Sequence, residues 1–125
     1  MSRRTVHASG ASIERVLTAR LVCERLRPEH APEVVPLVTD PRVAAWIEPD
    51  GQPATEREVE KWLASKDHHW DAHRFGQWLL RERESGAMVG RGGLQQRHVG
   101  GRDEVEIGWA IVPERWGEGL ATEMA

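Results

Sequence analysis

The sequence predicts an α/β domain in which helices flank a central, mixed but mostly antiparallel sheet. Three observations predict it. Thr55-Glu56-Arg57-Glu58 is a capping box, and apolar residues follow it at helical spacing. After His73 the apolar period shifts toward two, through three stretches separated by short turn signals. The last stretch runs into a glycine-punctuated turn that opens another helix. A length of 125 residues, with 39% hydrophobic and 30% charged content, suits a single domain with one core.

Residues 1–17 are small and polar without apolar periodicity, so a loose arm is expected ahead of a domain spanning 18–125. Leu21, Val22, Cys23 and Leu26 form the first strand, bounded by Pro28. Pro28 to Thr39 reads as a helix carrying Val34, Val35, Leu37 and Val38, with a kink or interruption from Pro32 and Pro36. Asp40-Pro41 is an N-cap followed by proline at the first helical position, and the short helix it starts ends at the Glu48-Pro49-Asp50-Gly51 turn. The capping-box helix then carries Val59, Trp62, Leu63 and Trp70. Strands are expected over Phe75 to Arg83, Ala87 to Arg97 and Glu104 to Val112, joined by turns at Glu84-Ser85-Gly86 and Gly100-Gly101. Trp46, Trp62, Trp70, Trp78 and Trp109 fall within apolar patterns and are expected in the core, with Trp116 the exception.

Composition excludes several functions. The formal net charge is -3, with seventeen Lys and Arg spread among twenty acids, so no basic footprint for nucleic acid is present. No apolar run approaches the roughly 20 residues that cross a bilayer. Arg3 and Arg4 precede no apolar segment of a signal peptide, so a cytoplasmic protein without a membrane partner is expected. Cys23 is the only cysteine, which excludes an internal disulfide and a cysteine-based metal cluster. His68, His69 and His73, with Asp67 and Asp71, offer spacings that could share a helix face, but they sit where a helix gives way to a loop, so no metal is expected.

The chemistry is concentrated in Glu106-Ile107-Gly108-Trp109-Ala110-Ile111-Val112-Pro113-Glu114-Arg115-Trp116-Gly117-Glu118-Gly119-Leu120-Ala121-Thr122-Glu123. A helix N-terminus leaves main-chain N–H groups unpaired and carries about half a positive charge, which suits a pyrophosphate. A dinucleotide unit is excluded, because Gly117-Glu118-Gly119 lacks the third glycine and the following strand with its ribose-binding acid.

These residues carry a resemblance. The chain resembles the N-terminal two-thirds of a GNAT-family N-acetyltransferase, in the branch of the ribosomal-protein N-terminal acetyltransferases. The matching segments occur in the family's order: Thr18-Ala19-Arg20-Leu21, Thr39-Asp40-Pro41-Arg42-Val43, Met88-Val89-Gly90-Arg91-Gly92-Gly93-Leu94 and Glu106 to Glu123. In the family's acyl-CoA motif Trp116 stands at the Gln/Arg place, Gly119 is the required glycine and Ala121 closes the motif. The match implies a GNAT-like fold truncated after its fourth strand, since Ala125 falls a few residues into the last helix.

The resemblance implies acetyl-CoA as acyl donor and direct transfer to a primary amine, on a protein N-terminus or a small molecule. Glu106 would be the general base, directly or through water. It would share a strand face with Glu104, Gly108, Ala110 and Val112. The Ala110 N–H would stabilise the oxyanion. Ile111 and Val112 would contact pantetheine through their backbones. Trp116, Gly117, Glu118, Gly119, Leu120 and Ala121 would form the phosphate cradle, with Thr122 adding a hydroxyl. The chain has no tyrosine, so the tyrosine general acid often found later in the fold has no counterpart. An open sheet edge admits a homodimer. A catalytically inactive half-domain, acting as an acyl-CoA binder or interaction module, is the alternative.

Overall fold

The computed structural model describes residues 13–48 and 50–124. Five strands form one sheet in the order β1 (Arg15–Leu17), β2 (Leu21–Arg25), β3 (Gln77–Glu82), β4 (Met88–Val99) and β5 (Arg102–Ile111), every neighbouring pair antiparallel. The GNAT-like α/β architecture expected from the sequence is present. The sheet has one strand more than expected, because Arg15–Leu17 pairs with β2 through Arg15↔Glu24, Val16↔Cys23 and Leu17↔Val22. The loose-arm expectation is thereby corrected for those three residues; residues 1–12 lie outside the described residues. Three residues are too few for a periodic signal, and here β2 supplies the pairing that a lone segment lacks.

Three helices cover one face of the sheet: α1 (Ala31–Val38), α2 (Pro41–Ile47) and α3 (Glu56–His73). The expected interruption at Pro32 and Pro36 is corrected: α1 runs unbroken from Ala31 to Val38, with Pro32 in its first turn, where no intrahelical N–H bond is lost, and Pro36 inside the helix, and a 3₁₀ turn over Pro28–His30 precedes it. Asp40 caps α2 by accepting from the Arg42 N–H at 2.9 Å. The capping box of α3 is reciprocal: the Glu58 N–H donates to Thr55 Oγ1 at 3.2 Å and the Thr55 N–H donates to Glu58 Oε1 at 2.9 Å. The helix ends at Arg74, in the left-handed conformation at φ 62°.

The core lies in two layers. Leu26, Val34, Leu37, Val38, Val59, Leu63, Leu79 and Ala110 pack between the sheet and α1–α3. Leu21, Cys23, Leu80, Val89 and Ile111 pack on the other face against Leu120 and Met124 of α4 (Leu120–Met124). Gly100 and Gly101 turn β4 into β5 with φ of 57° and 79°, the paired left-handed geometry that a two-residue hairpin requires. Ala110 and Ile111, adjacent in β5, thus point into different layers. The tryptophan expectation holds for Trp70, which is 2% exposed, and fails for Trp46 and Trp109, at 82% and 50%. Trp46 projects from α2 and Trp109 lies on β5, the last strand of the sheet, and sequence patterning cannot see that no described residues cover them. No helix among the described residues is long and apolar enough to cross a membrane.

Candidate active site

The C-terminal end of β5 meets α2 at a cavity of about 440 Å³ lined by Trp46, Ile47, Trp109, Ala110, Ile111 and Trp116. Among the described residues β5 has no strand partner on its outer side, so its main chain borders this cavity. The Val112 N–H donates to the Val89 carbonyl at 2.8 Å, which sets the phase of the ladder. By antiparallel alternation, Ala110 then directs its main-chain groups toward Arg91 of β4, and Ile111 directs its own toward the free edge. The outward Ile111 carbonyl is already occupied by the Trp116 indole, whose Nε1 donates to it at 2.8 Å.

Beyond β5 the chain forms a 3₁₀ turn over Pro113–Arg115, then Gly117 and Gly119 take φ of 83° and 77°. Those left-handed values suit glycine and bring the loop into α4 with its N–H groups exposed. Among the described residues, the main-chain N–H groups of Gly117, Glu118, Gly119, Leu120, Ala121 and Thr122 have no main-chain acceptor, whereas Glu123 N–H closes on the Gly119 carbonyl at 3.0 Å. Two guanidinium groups frame the loop. Arg20 donates to the Glu118 carbonyl at 2.9 Å, and Arg115 neutralises the Glu118 carboxylate at 2.9 and 3.0 Å while also reaching Glu82 at 2.7 Å.

Glu123 anchors this arrangement from below. It accepts from Thr18 Oγ1, from the Arg20 N–H at 2.8 Å and from Arg20 Nε at 2.7 Å. Burial raises its pKa, but the hydrogen bonds from Thr18 and Arg20 outweigh that effect and hold the carboxyl at about 2.

Glu106 lies farther along β5. It is four positions before Ala110, roughly 13 Å of strand. Its half-exposed carboxylate pairs with Arg97 at 3.0 Å across the β4–β5 ladder. The two residues share a sheet face, as expected, but the fold does not bring the Glu106 carboxylate against the end of the strand where Ala110 lies. Direct proton abstraction requires hydrogen-bond reach, so Glu106 could act there only through a water relay.

A second cavity of about 310 Å³ lies between the helices and β4, lined by Val38, Ile47, Val59, Trp62, Arg91, Glu48 and Glu58, among others. Arg91 donates to Gln77 Oε1 at 3.1 Å and its guanidinium carbon stands 5.0 Å from the Trp62 ring centroid. Its Nε is buried without a hydrogen-bond partner. Burial lowers its pKa to about 10 against the opposing charge of Glu48. Lys66, packed 5.7 Å from the same Trp62 ring, bonds Gln95 and has its pKa lowered by burial and by Arg91.

The histidines do not form a ligand set. His69 accepts from the Gln96 N–H through Nε2 at 2.9 Å, which leaves Nδ1 as the donor to the Phe75 carbonyl at 3.0 Å. Its ring also lies 4.5 Å from that of His73. The residues missed in the sequence are Arg20, Arg91 and Arg97. The first two stood in matching segments without a role, since a guanidinium's partners are set by tertiary contacts.

A family model described as Acetyltransferase (GNAT) domain matches residues 20–125. Among solved structures, a protein from Bordetella pertussis described as a GNAT-family acetyltransferase is 26% identical and superposes with a TM-score of 0.73, over 88% of this chain and 66% of that one. An acetyltransferase from Agrobacterium tumefaciens is 21% identical with a TM-score of 0.71, over 97% of this chain and 66% of that one. RimL, a ribosomal L7/L12 alpha-N-protein acetyltransferase solved in complex with coenzyme A, is 15% identical with a TM-score of 0.69, over 88% of this chain and 62% of that one. The chain therefore spans slightly under two thirds of the length of the structures it matches.

Proposed function

The chain belongs to the GNAT acetyltransferase family, and on that premise we propose that it is an N-acetyltransferase that moves the acetyl group of acetyl-CoA to a primary amine. The observation that carries the reading is the free β5 edge running into a loop of unpaired N–H groups framed by Arg20. Pantetheine would lie along Ile111 and Val112. The pyrophosphate would be taken by the N–H groups of Gly117 to Ala121, with Glu118 held aside by Arg115 and the Thr122 hydroxyl as a further donor. Since Trp116 fills the outward Ile111 carbonyl, it would shape the channel without offering the polar side chain of the Gln/Arg place.

In the transfer, the amine nitrogen attacks the thioester carbonyl. A nitrogen–carbon bond forms, the carbon–sulfur bond breaks, the amine loses its proton and coenzyme A leaves as the thiol. The oxyanion donor belongs to the Ala110–Ile111 step. Ladder phase favours the Ile111 N–H over the Ala110 N–H expected from the sequence, because only the former points off the sheet. Glu106 would take the amine proton through water. Family membership favours this enzyme over an inactive half-domain. We further propose a cytoplasmic setting, and a second copy pairing along the β5 edge, where Val105, Ile107 and Trp109 are exposed.

Thermal unfolding with and without acetyl-CoA tests the reading. At about 100 times its dissociation constant, a ligand adds roughly 2.7 kcal/mol. A cooperative transition that acetyl-CoA leaves unmoved would end the proposal, as would absence of thiol release with a broad amine panel. Glu106→Gln should slow transfer without weakening that shift. Sedimentation showing a monomer at tens of micromolar would remove the homodimer.

A further inference from the structure

Among the described residues, Arg91 is a cation whose surroundings the site above does not explain. A guanidinium is a five-donor fork that cannot be neutralised at working pH, and a buried N–H without an acceptor is costly. Here Nε has no partner, one end reaches Gln77, and no ion pair to Arg91 is formed among the described residues. The guanidinium instead lies against Trp62 and borders a 310 Å³ cavity, large enough for a small metabolite. Lys66 approaches the same indole at 5.7 Å and is a second cation beside that ring. Glu48 and Glu58 line the same cavity and would favour a cationic group, Glu58 from an exposed position at the start of α3. Arg91 is directly opposite Ala110 in the β4–β5 register, and Ile47 lines both this cavity and the one at the strand end where transfer is placed.

We propose that the acceptor is a free amino acid or a carboxylate-bearing amine of that size, its carboxylate docked on Arg91 and its amine directed toward the Ala110–Ile111 step. This rests on the N-acetyltransferase reading and narrows it, because a protein N-terminus carries no carboxylate beside its amine. A carboxylate in the cavity would accept charge-assisted hydrogen bonds from the terminal nitrogens of the guanidinium and supply the counter-charge that no ion pair gives it. Glu48 and Glu58 line the same cavity and would favour a further cationic group on such an acceptor, one besides the amine that reacts.

The test compares free L-amino acids, their C-terminal amides and short N-terminal peptides, on the full chain. Two readouts are used: thiol release from acetyl-CoA, and ligand-observed NMR of acceptor binding alone. The expected result is at least tenfold higher kcat/KM and measurably tighter binding for some free acids over their amides. Arg91→Gln should erase that preference chiefly through KM, and Arg91→Lys should keep part of it. Equal or better use of amides or peptides overturns the carboxylate site while leaving the transferase intact. Failure of acids to bind at tens of millimolar also overturns it. If acetyl-CoA itself causes no stabilisation, the transferase reading falls instead, and the binding comparison still decides the Arg91 site. Should Arg91→Gln fail to fold, the acid-against-amide comparison on the unaltered chain remains decisive.

Discussion

Arg20 and Glu123, 103 residues apart, are joined twice: the Arg20 main-chain N–H donates to Oε2 at 2.8 Å and its Nε donates to Oε1 at 2.7 Å. With Thr18 on the same carboxylate, this clamp ties α4 to the turn between β1 and β2 and positions the loop of Gly117 to Gly119 over Arg20. Glu123→Ala should therefore destabilise the protein by about 2 kcal/mol in urea titrations, the usual range for bonds to a charged group. A loss under a few tenths of a kcal/mol would show that the clamp is dispensable.

The same carboxylate makes stability acid-sensitive. Its folded pKa of about 2 lies below the ordinary 4.5, so its contribution is complete above pH 4.5 and is lost as pH falls toward 2. Unfolding free energies measured between pH 6 and 3 should fall less steeply in Glu123→Gln than in the unaltered chain.

His69 gives a second window at higher pH. Burial lowers its pKa below the ordinary 6.5, and the neutral ring is the form that accepts from the Gln96 N–H. Since the unfolded chain binds the proton more readily, stability should be full above pH 6.5 and decline as pH drops below it. His69→Asn should flatten that decline between pH 7 and 5; an unchanged slope would assign it to other groups.

Gly119 is expected to be required by its backbone. A Cβ there would meet only Arg20 Nη2, at an ordinary 3.7 Å, so the cost of Gly119→Ala comes from φ of 77°. That cost is about 1 kcal/mol, and the distorted loop should weaken acetyl-CoA binding severalfold in calorimetry. Gly51, equally left-handed with open space around it, is the control: Gly51→Ala should lose similar stability without touching acetyl-CoA binding.

Cys23 should be chemically silent. It is 1% exposed, and burial together with the charge of Glu123 raises its thiol to about 11. Ellman's reagent should modify it only at the rate of unfolding. Rapid labelling of the native protein would show that the β1–β2 edge opens.

Trp116→Phe should release the end of β5. The indole bond to the Ile111 carbonyl is lost while the ring bulk is kept, at a cost of about 1 kcal/mol. If the channel reading is right, acetyl-CoA affinity should change more than stability does.

The sequence by itself determined what is local. The capping box of α3, the Asp40-Pro41 start of α2, the Gly100-Gly101 hairpin and the glycine loop after β5 all depend on residues within a few positions of one another, and each is found in place. Tertiary structure decided what depends on distant partners. Arg15–Leu17 is a strand only because β2 lies beside it, and Trp46 and Trp109 are exposed because, among the described residues, no element covers the outward side of α2 or the outer edge of β5. Arg20 meets Glu123, and Arg91 faces Ala110, through contacts that no periodicity encodes. The direction of the main-chain groups at the strand end also came from ladder phase, since side-chain alternation assigns residues to faces but does not say which main-chain N–H points away from the neighbouring strand.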